Sequence, residues 1–258
     1  IFLRDLAEGL QTGFSRPPVT EKASKYVLGD FIKVVRGVAT GANEFFFLTD
    51  EQTQQLEIPE KYFVRAIGRT RDVPTEEITQ ETLDILRKKG RPTLLLSLNG
   101  KPFETYPEKL RKYLKDGEEL GLPQRPLISQ RKPWYKTESR LIPPFLFSYL
   151  GRRNSRFIRN TAKIIPLTGF LCIYPKSVEI EFNERLWKIL NHPDTVSNLA
   201  LIGKSYGDGA IKVEPRSLEK LPIPDNVIEQ SGMPMQLRLF EQKEIYSTTG
   251  GSGGSHLK

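Results

Sequence analysis

The chain has one cysteine, Cys172, and two histidines, His192 and His256, in 258 residues. A lone thiol excludes an internal disulfide framework and a cysteine-rich zinc site, and two histidines exclude a histidine-cluster metal centre. Cys172 lies in the apolar run Gly169-Phe170-Leu171-Cys172-Ile173-Tyr174, which predicts a small core residue rather than a reactive one. No stretch approaches the roughly 20 apolar residues that span a bilayer; runs such as Leu94-Leu95-Leu96 are interrupted within a few positions. The opening Ile1-Phe2-Leu3-Arg4-Asp5 lacks the basic-then-apolar order of a signal peptide. The expected location is therefore cytoplasmic, with no membrane partner. There is no initiating Met and the chain opens in mid-phrase, so it reads as a fragment of something longer or a processed form.

What is present is ordinary for a globular protein: 38% hydrophobic and 27% charged residues, enough for one large core or two small ones. Residues 1–25, with Arg16-Pro17-Pro18, show little periodicity and read as a connector. From Tyr26 the pattern is strand-like, with Phe31–Arg36 and Phe45–Leu48 expected as two strands joined by the loop Gly37–Asn43. Asp50 is expected to cap a short helix ending at Leu56. A further apolar segment covers Tyr62–Ile67. Glu76–Lys89 predicts an amphipathic helix bearing Ile78, Leu83 and Leu86, ended by Gly90. Thr93–Leu98 reads as a strand, and Pro107–Lys115 as a helix closed by Asp116-Gly117. Lys163–Ile165 and Phe170–Tyr174 return to strand texture; Asn183–Leu190, Val196–Ile202 and Pro215–Leu221 read as helices. The expected class is α+β, an irregular mixed fold with a small twisted sheet and peripheral helices, without the alternation of a doubly wound sheet. The main domain is expected over 26–224, followed by a tail over 225–258 whose end, Thr248–Ser255, is Gly/Ser-rich.

Charge is uneven. Between Arg125 and Lys163 there are ten cations, Arg125, Arg131, Lys132, Lys136, Arg140, Arg152, Arg153, Arg156, Arg159 and Lys163, against one anion, Glu138. This local excess of nine exceeds the whole-chain net charge of +8, so the remainder sums to −1. The same stretch holds Trp134, Tyr135, Tyr149, Asn154 and Asn160, side chains that stack on bases or read their edges. Guanidinium forks suit phosphate oxygens, and a polyanionic partner is expected; the alternative is a solvated basic face, or cations paired with acids between Glu76 and Glu119.

Catalytic patterns fail one by one. Gly203-Lys204-Ser205 resembles the tail of a phosphate-binding loop, but Asn198 stands where its first Gly belongs. His192, the one plausible base for a nucleophile, precedes Pro193 at a helix end and reads as a C-terminal cap. Ile142-Pro143-Pro144-Phe145 resembles the Asn/Asp-Pro-Pro-aromatic loop of amino-methylating DNA methyltransferases, but Ile142 has no side-chain acceptor. No glycine-rich strand–turn–helix unit for S-adenosylmethionine precedes it. The chain is expected to be catalytically inert alone, with no cofactor of its own.

Several phrases in order carry a family resemblance. Arg36-Gly37-Val38-Ala39-Thr40-Gly41-Ala42-Asn43-Glu44-Phe45-Phe46 resembles the opening motif of the TaqI-like C-terminal specificity domain of adenine-specific DNA methyltransferases of restriction–modification systems, including Eco57I-like enzymes. Arg131–Tyr135, Arg156–Asn160, Ile173–Pro175, Tyr206–Gly209, Ile211–Pro215 and Leu221–Pro224 follow in the family's order. The resemblance implies a target-recognition domain that docks on double-stranded DNA while its own catalytic methyltransferase domain, which binds S-adenosylmethionine, flips and methylates an adenine. A restriction nuclease domain or subunit is a further partner that it allows. The DNA-facing set is expected to include Thr40, Asn43, Arg131, Lys132, Tyr135, Lys136, Arg140, Arg152, Arg153, Asn154, Arg156, Lys204 and Tyr206. For Thr40–Asn43 a structural turn is the competing reading, and for Trp134 and Tyr135 it is burial in the core. The alternative functions are a stand-alone specificity subunit of a restriction–modification complex, and a nuclease or RNA-processing enzyme.

Overall fold

The computed structural model describes Leu6 and residues 24–149, 155–205 and 211–234. Two sheets dominate. The larger takes strands β2 (Ile32–Arg36), β10 (Phe170–Pro175), β7 (Phe145–Ser148), β8 (Arg156–Asn160) and β5 (Glu77–Ile78), in that order. The smaller takes β3 (Phe47–Leu48), β6 (Leu94–Leu96), β4 (Phe63–Ile67) and β9 (Ile165–Pro166). Pairing is antiparallel except for β5 with β8 and β4 with β9. Two-stranded ribbons join β1 (Tyr26–Val27) to β13 (Pro222–Ile223), and β11 (Lys204–Ser205) to β12 (Ile211–Lys212).

The apolar text of the larger sheet is explained by burial on both faces. Strand side chains alternate in direction, and here alternate residues enter different cores. Leu171, Ile173, Phe145, Phe147 and Phe157 join one cluster, while Phe170, Leu146 and Ile158 join the other. The first cluster is roofed by the C-terminal helices: α5 (Ile180–Asn191), α7 (Leu199–Ile202), α8 (Pro215–Glu219) and α9 (Asp225–Ser231), with the short α6 (Pro193–Ser197) between them. The second is roofed by α3 (Gln80–Lys88) through Leu83 and Leu86. A third core lies between the smaller sheet, α4 (Glu108–Glu119) and the segment through Tyr135. Each fully buried Phe or Leu contributes about 1.5–3 kcal/mol.

The α+β class and its peripheral helices are as expected, with several local differences. The expected strand pair around Gly37–Asn43 is not a hairpin: β2 pairs with β10 and β3 with β6, in different sheets. Asn43–Phe46 forms a short helix, α1, before β3. The amphipathic segment is split, because Glu77–Ile78 pairs with β8 and Thr79 caps α3, its hydroxyl accepting from the Thr82 amide. The earlier helix α2 (Asp50–Leu56) is capped by Thr49 with a reciprocal Gln52 bond rather than by Asp50. The core also continues past Pro224, since Val227, Ile228 and Met233 are buried in the first cluster.

Two chain crossings tie the sheets together. After β2, the Gly37 amide donates to Phe170 O at 3.0 Å and the Val38 amide to Pro166 O at 2.9 Å, and Val38 bridges Leu167. Gly37 lies so close to the returning β9–β10 turn that a Cβ there would stand 2.2 Å from Leu167 O. His192 ends α5, but its ring serves the next helix. Its Nδ1 accepts the Asp194 amide at 3.2 Å, and its Nε2, which then carries the proton, lies 3.1 Å from Gln230 Oε1.

Cys172 is fully buried in β10, and burial pushes its thiol up to about 12. Because the thiolate is the reactive species, Ellman's reagent at pH 8 should leave the folded protein unlabelled and react stoichiometrically once guanidinium unfolds it. Rapid labelling of the native state would contradict this placement.

Candidate nucleic-acid interface

One end of the smaller sheet gathers three segments: the turn before α1, the turn after β6, and the basic segment through Lys136. The first turn is built by its own polar groups. Thr40 is buried; its hydroxyl donates to Asn43 Oδ1 at 2.5 Å and accepts the Ala42 amide at 3.1 Å. Gly41 has φ +78°, the left-handed region that disfavours a side chain, and Ile128 fills the space beside it. Thr40 is thus spent on the turn. Asn43 is exposed, and its Nδ2 has no partner among the described residues.

The basic segment is stitched onto this turn. Arg125 pairs with Glu44 and reaches Gly41 O at 3.4 Å. The backbone amide of Glu44 and the Arg125 guanidinium hold the Glu44 carboxyl below the usual carboxylate range. Arg131 donates to Ala39 O at 2.7 Å and lies 5.8 Å from the Phe46 ring centre. Burial of that guanidinium lowers its pKa. Trp134 packs on Phe45 and Phe46 and donates to Glu118 at 3.0 Å, fitting where Gly117 leaves α4 without a side chain. Tyr135 is 5% exposed, its ring edge-on to Tyr106 and its hydroxyl donating to Lys101 O at 2.9 Å. Both aromatic rings work in the core.

The remaining cations of this region point outward. Lys132 and Lys136 are exposed, and Lys136 lies over Gly100 in the turn after β6. That turn adds exposed Lys101 and Asn99, whose Oδ1 accepts from the Lys101 amide at 3.2 Å and the Tyr106 hydroxyl at 3.3 Å. None of the three lysines has a carboxylate partner among the described residues. Sequence reading missed Lys101 and Asn99 because they lie outside the basic stretch; the Asn99-Gly100 turn signal could have found them.

Among the described residues the cations of the basic stretch do not all lie free on one face, which corrects the expectation drawn from local charge. Arg125, Arg140 and Arg159 pair with Glu44, Glu138 and Glu184. Arg159 also lies 5.1 Å from the Trp187 ring centre. Arg156 donates to Val73 O and to Thr75 O, holding the loop before β5. Asn160 is buried and bonds backbone groups of residues 143 and 164. Counting charge along the chain hides these partners, because Glu44 and Glu184 arrive from other segments. Lys204 opens β11 opposite Lys212. Arg152, Arg153, Asn154 and Tyr206 lie outside the described residues. Among the described residues no group of His, Cys, Asp or Glu is assembled to hold a metal ion, and no helix is long and apolar enough to cross a membrane.

The chain is similar to known proteins in sequence and in fold. The type II methyltransferase M.AccI of Acinetobacter calcoaceticus is 31% identical over 192 residues, covering 74% of this chain and 35% of that protein. The type II methyltransferase M.XamI of Xanthomonas campestris pv. amaranthicola is 24% identical over 211 residues, covering 81% of this chain and 38% of that protein. The chain therefore spans little more than a third of the curated relatives it matches. A similar fold, with TM-score 0.52 and 14% identity, occurs in the type IIL restriction-modification enzyme MmeI, solved in complex with DNA; it covers 82% of this chain and 27% of that one. Residues 18–248 match the family described as the type II methyltransferase M.Eco57I C-terminal domain, and the chain belongs to that family.

Proposed function

We propose that this domain recognises a double-stranded DNA target for an adenine-specific methyltransferase, holding the duplex while a catalytic domain encoded in the same protein flips and methylates the base. The methyl donor, S-adenosylmethionine, belongs to that catalytic domain, and a nuclease domain or subunit is a further partner. The observation that carries the reading is the trio Lys101, Lys132 and Lys136 on one rim, without carboxylate partners among the described residues, beside two asparagines. Ammonium groups on flexible stems neutralise phosphates without reading sequence. Asn43 and Asn99 have their Oδ1 atoms engaged within the turns, which leaves each Nδ2 as a donor for an acceptor on a base edge or a phosphate. Arg152, Arg153 and Asn154 are assigned to the same duplex on their chemistry alone. Family membership and the DNA-bound state of MmeI support the reading.

The test is fluorescence anisotropy with a duplex containing the target site, titrated across salt concentrations. Each lysine–phosphate contact adds about 0.9 to the slope of log affinity against log salt. Lys132→Ala/Lys136→Ala should flatten that slope by about two and leave the preference between cognate and non-cognate duplexes intact. An unchanged slope would remove this rim from the DNA face.

A further inference from the structure

A second cationic site lies on the larger sheet's edge, away from the sequence's basic stretch. Ile202, Arg216, Ser217 and Lys220 line a half-open hollow of about 90 Å³, large enough to seat a phosphate group. Arg216 and Lys220 are exposed, and no carboxylate among the described residues pairs with either one. The acids flanking them in sequence are committed elsewhere. Glu219 accepts the Val34 amide at 2.7 Å, and Glu214 bonds both Arg36 and Lys212. The Ser217 hydroxyl has no partner among the described residues.

We propose that Arg216, Ser217 and Lys220 form a binding pocket for one backbone phosphodiester of duplex DNA. A guanidinium fork, an ammonium and a hydroxyl supply donors of the kind that phosphate oxygens take. Ile202 supplies an apolar wall that suits the deoxyribose flanking a diester and offers nothing to free phosphate. The pocket also sits within reach of the lysine rim along the chain. Arg36 contacts Glu214, two residues before Arg216, and Ala39 contacts Arg131, next to Lys132. Arg36 and Ala39 are separated by about 10 Å of extended chain at most. Cations on either side of that crossing give a duplex one anchor on each sheet, which fixes its orientation as a single patch cannot. This inference rests on the DNA-recognition reading and adds a second anchor to it.

The experiment is an NMR titration of the full chain with duplex DNA and, separately, with inorganic phosphate, joined to anisotropy on Arg216→Ala/Lys220→Ala. Duplex should shift the Ser217 and Lys220 amides at concentrations where inorganic phosphate does not. The double variant should flatten the salt slope by about two, in addition to the loss from the Lys132→Ala/Lys136→Ala pair. Amide shifts need no variant, so a poorly folded mutant leaves the test intact. Wild-type protein that binds duplex without moving these amides, or a folded double variant with the wild-type slope, overturns the pocket alone. Shifts with inorganic phosphate but not with duplex overturn the backbone assignment in favour of free phosphate. Failure of the wild type to bind any duplex overturns the recognition reading and the pocket with it.

Discussion

Gly37→Ala is expected to lower stability by about 3 kcal/mol, among the largest effects of any single methyl group in this protein. The added Cβ would stand 2.2 Å from Leu167 O and 2.7 Å from Pro166 O, both backbone atoms that cannot swing aside. Relief requires moving the crossing itself, at the expense of the Gly37–Phe170 and Val38–Pro166 hydrogen bonds. For a domain of this size such a loss lowers Tm by about 6–12 °C. Gly90→Ala is the control. Gly90 has φ +62° but nothing within 4 Å of the new carbon, so only left-handed backbone strain of about 1–2 kcal/mol applies. Calorimetry or thermal circular dichroism on both variants decides the matter; equal shifts would mean the close approach at Gly37 is absent.

Asn160→Ala should cost a similar amount, about 3 kcal/mol, for a different reason. The side chain is 6% exposed; its Nδ2 donates to Pro143 O at 2.7 Å and Ile164 O at 2.9 Å, while its Oδ1 accepts the Ile164 amide at 3.0 Å. Alanine leaves three buried backbone groups without partners, at about 1–3 kcal/mol for each that water cannot reach. Thr161→Ala, which removes one bond from an exposed hydroxyl to Ile78 O, should cost about 1 kcal/mol or less. Urea unfolding measures both. At temperatures where Asn160→Ala is folded, its affinity for duplex DNA should match the wild type. A selective loss of binding without a loss of stability would return Asn160 to the base-reading group in which its sequence context places it.

That contrast shows what the sequence can and cannot reveal. Burial of Cys172, the strands at Phe170–Tyr174 and the helices near Asp50 and Pro107 are legible because apolar periodicity and turn residues act locally. The partition of strands between two sheets is not, since β2 and β3 lie only ten residues apart and find partners far along the chain. The site was partly legible. Lys132 and Lys136 are exposed as a basic surface requires, yet Arg140 and Arg156 in the same stretch hold Glu138 and the Val73–Thr75 backbone. Side-chain type identifies groups able to meet phosphate; only the fold decides which of them are already engaged. Lys101, Arg216 and Lys220 were hidden for the converse reason, being isolated cations along the chain that the fold brings to one rim or one cavity.

Glu219 has an effect apart from the neighbouring cations. β2 is a margin of the larger sheet, and such margins recruit strands from other molecules unless they are blocked. By capping the Val34 amide, with Gly29 lying against Glu219 O, the α8 turn acts as a bolt across that margin. Severing it would expose an unpaired backbone donor of β2, the kind of template from which fibrous self-association grows, so the turn that carries Arg216 and Lys220 also seals a border of the sheet.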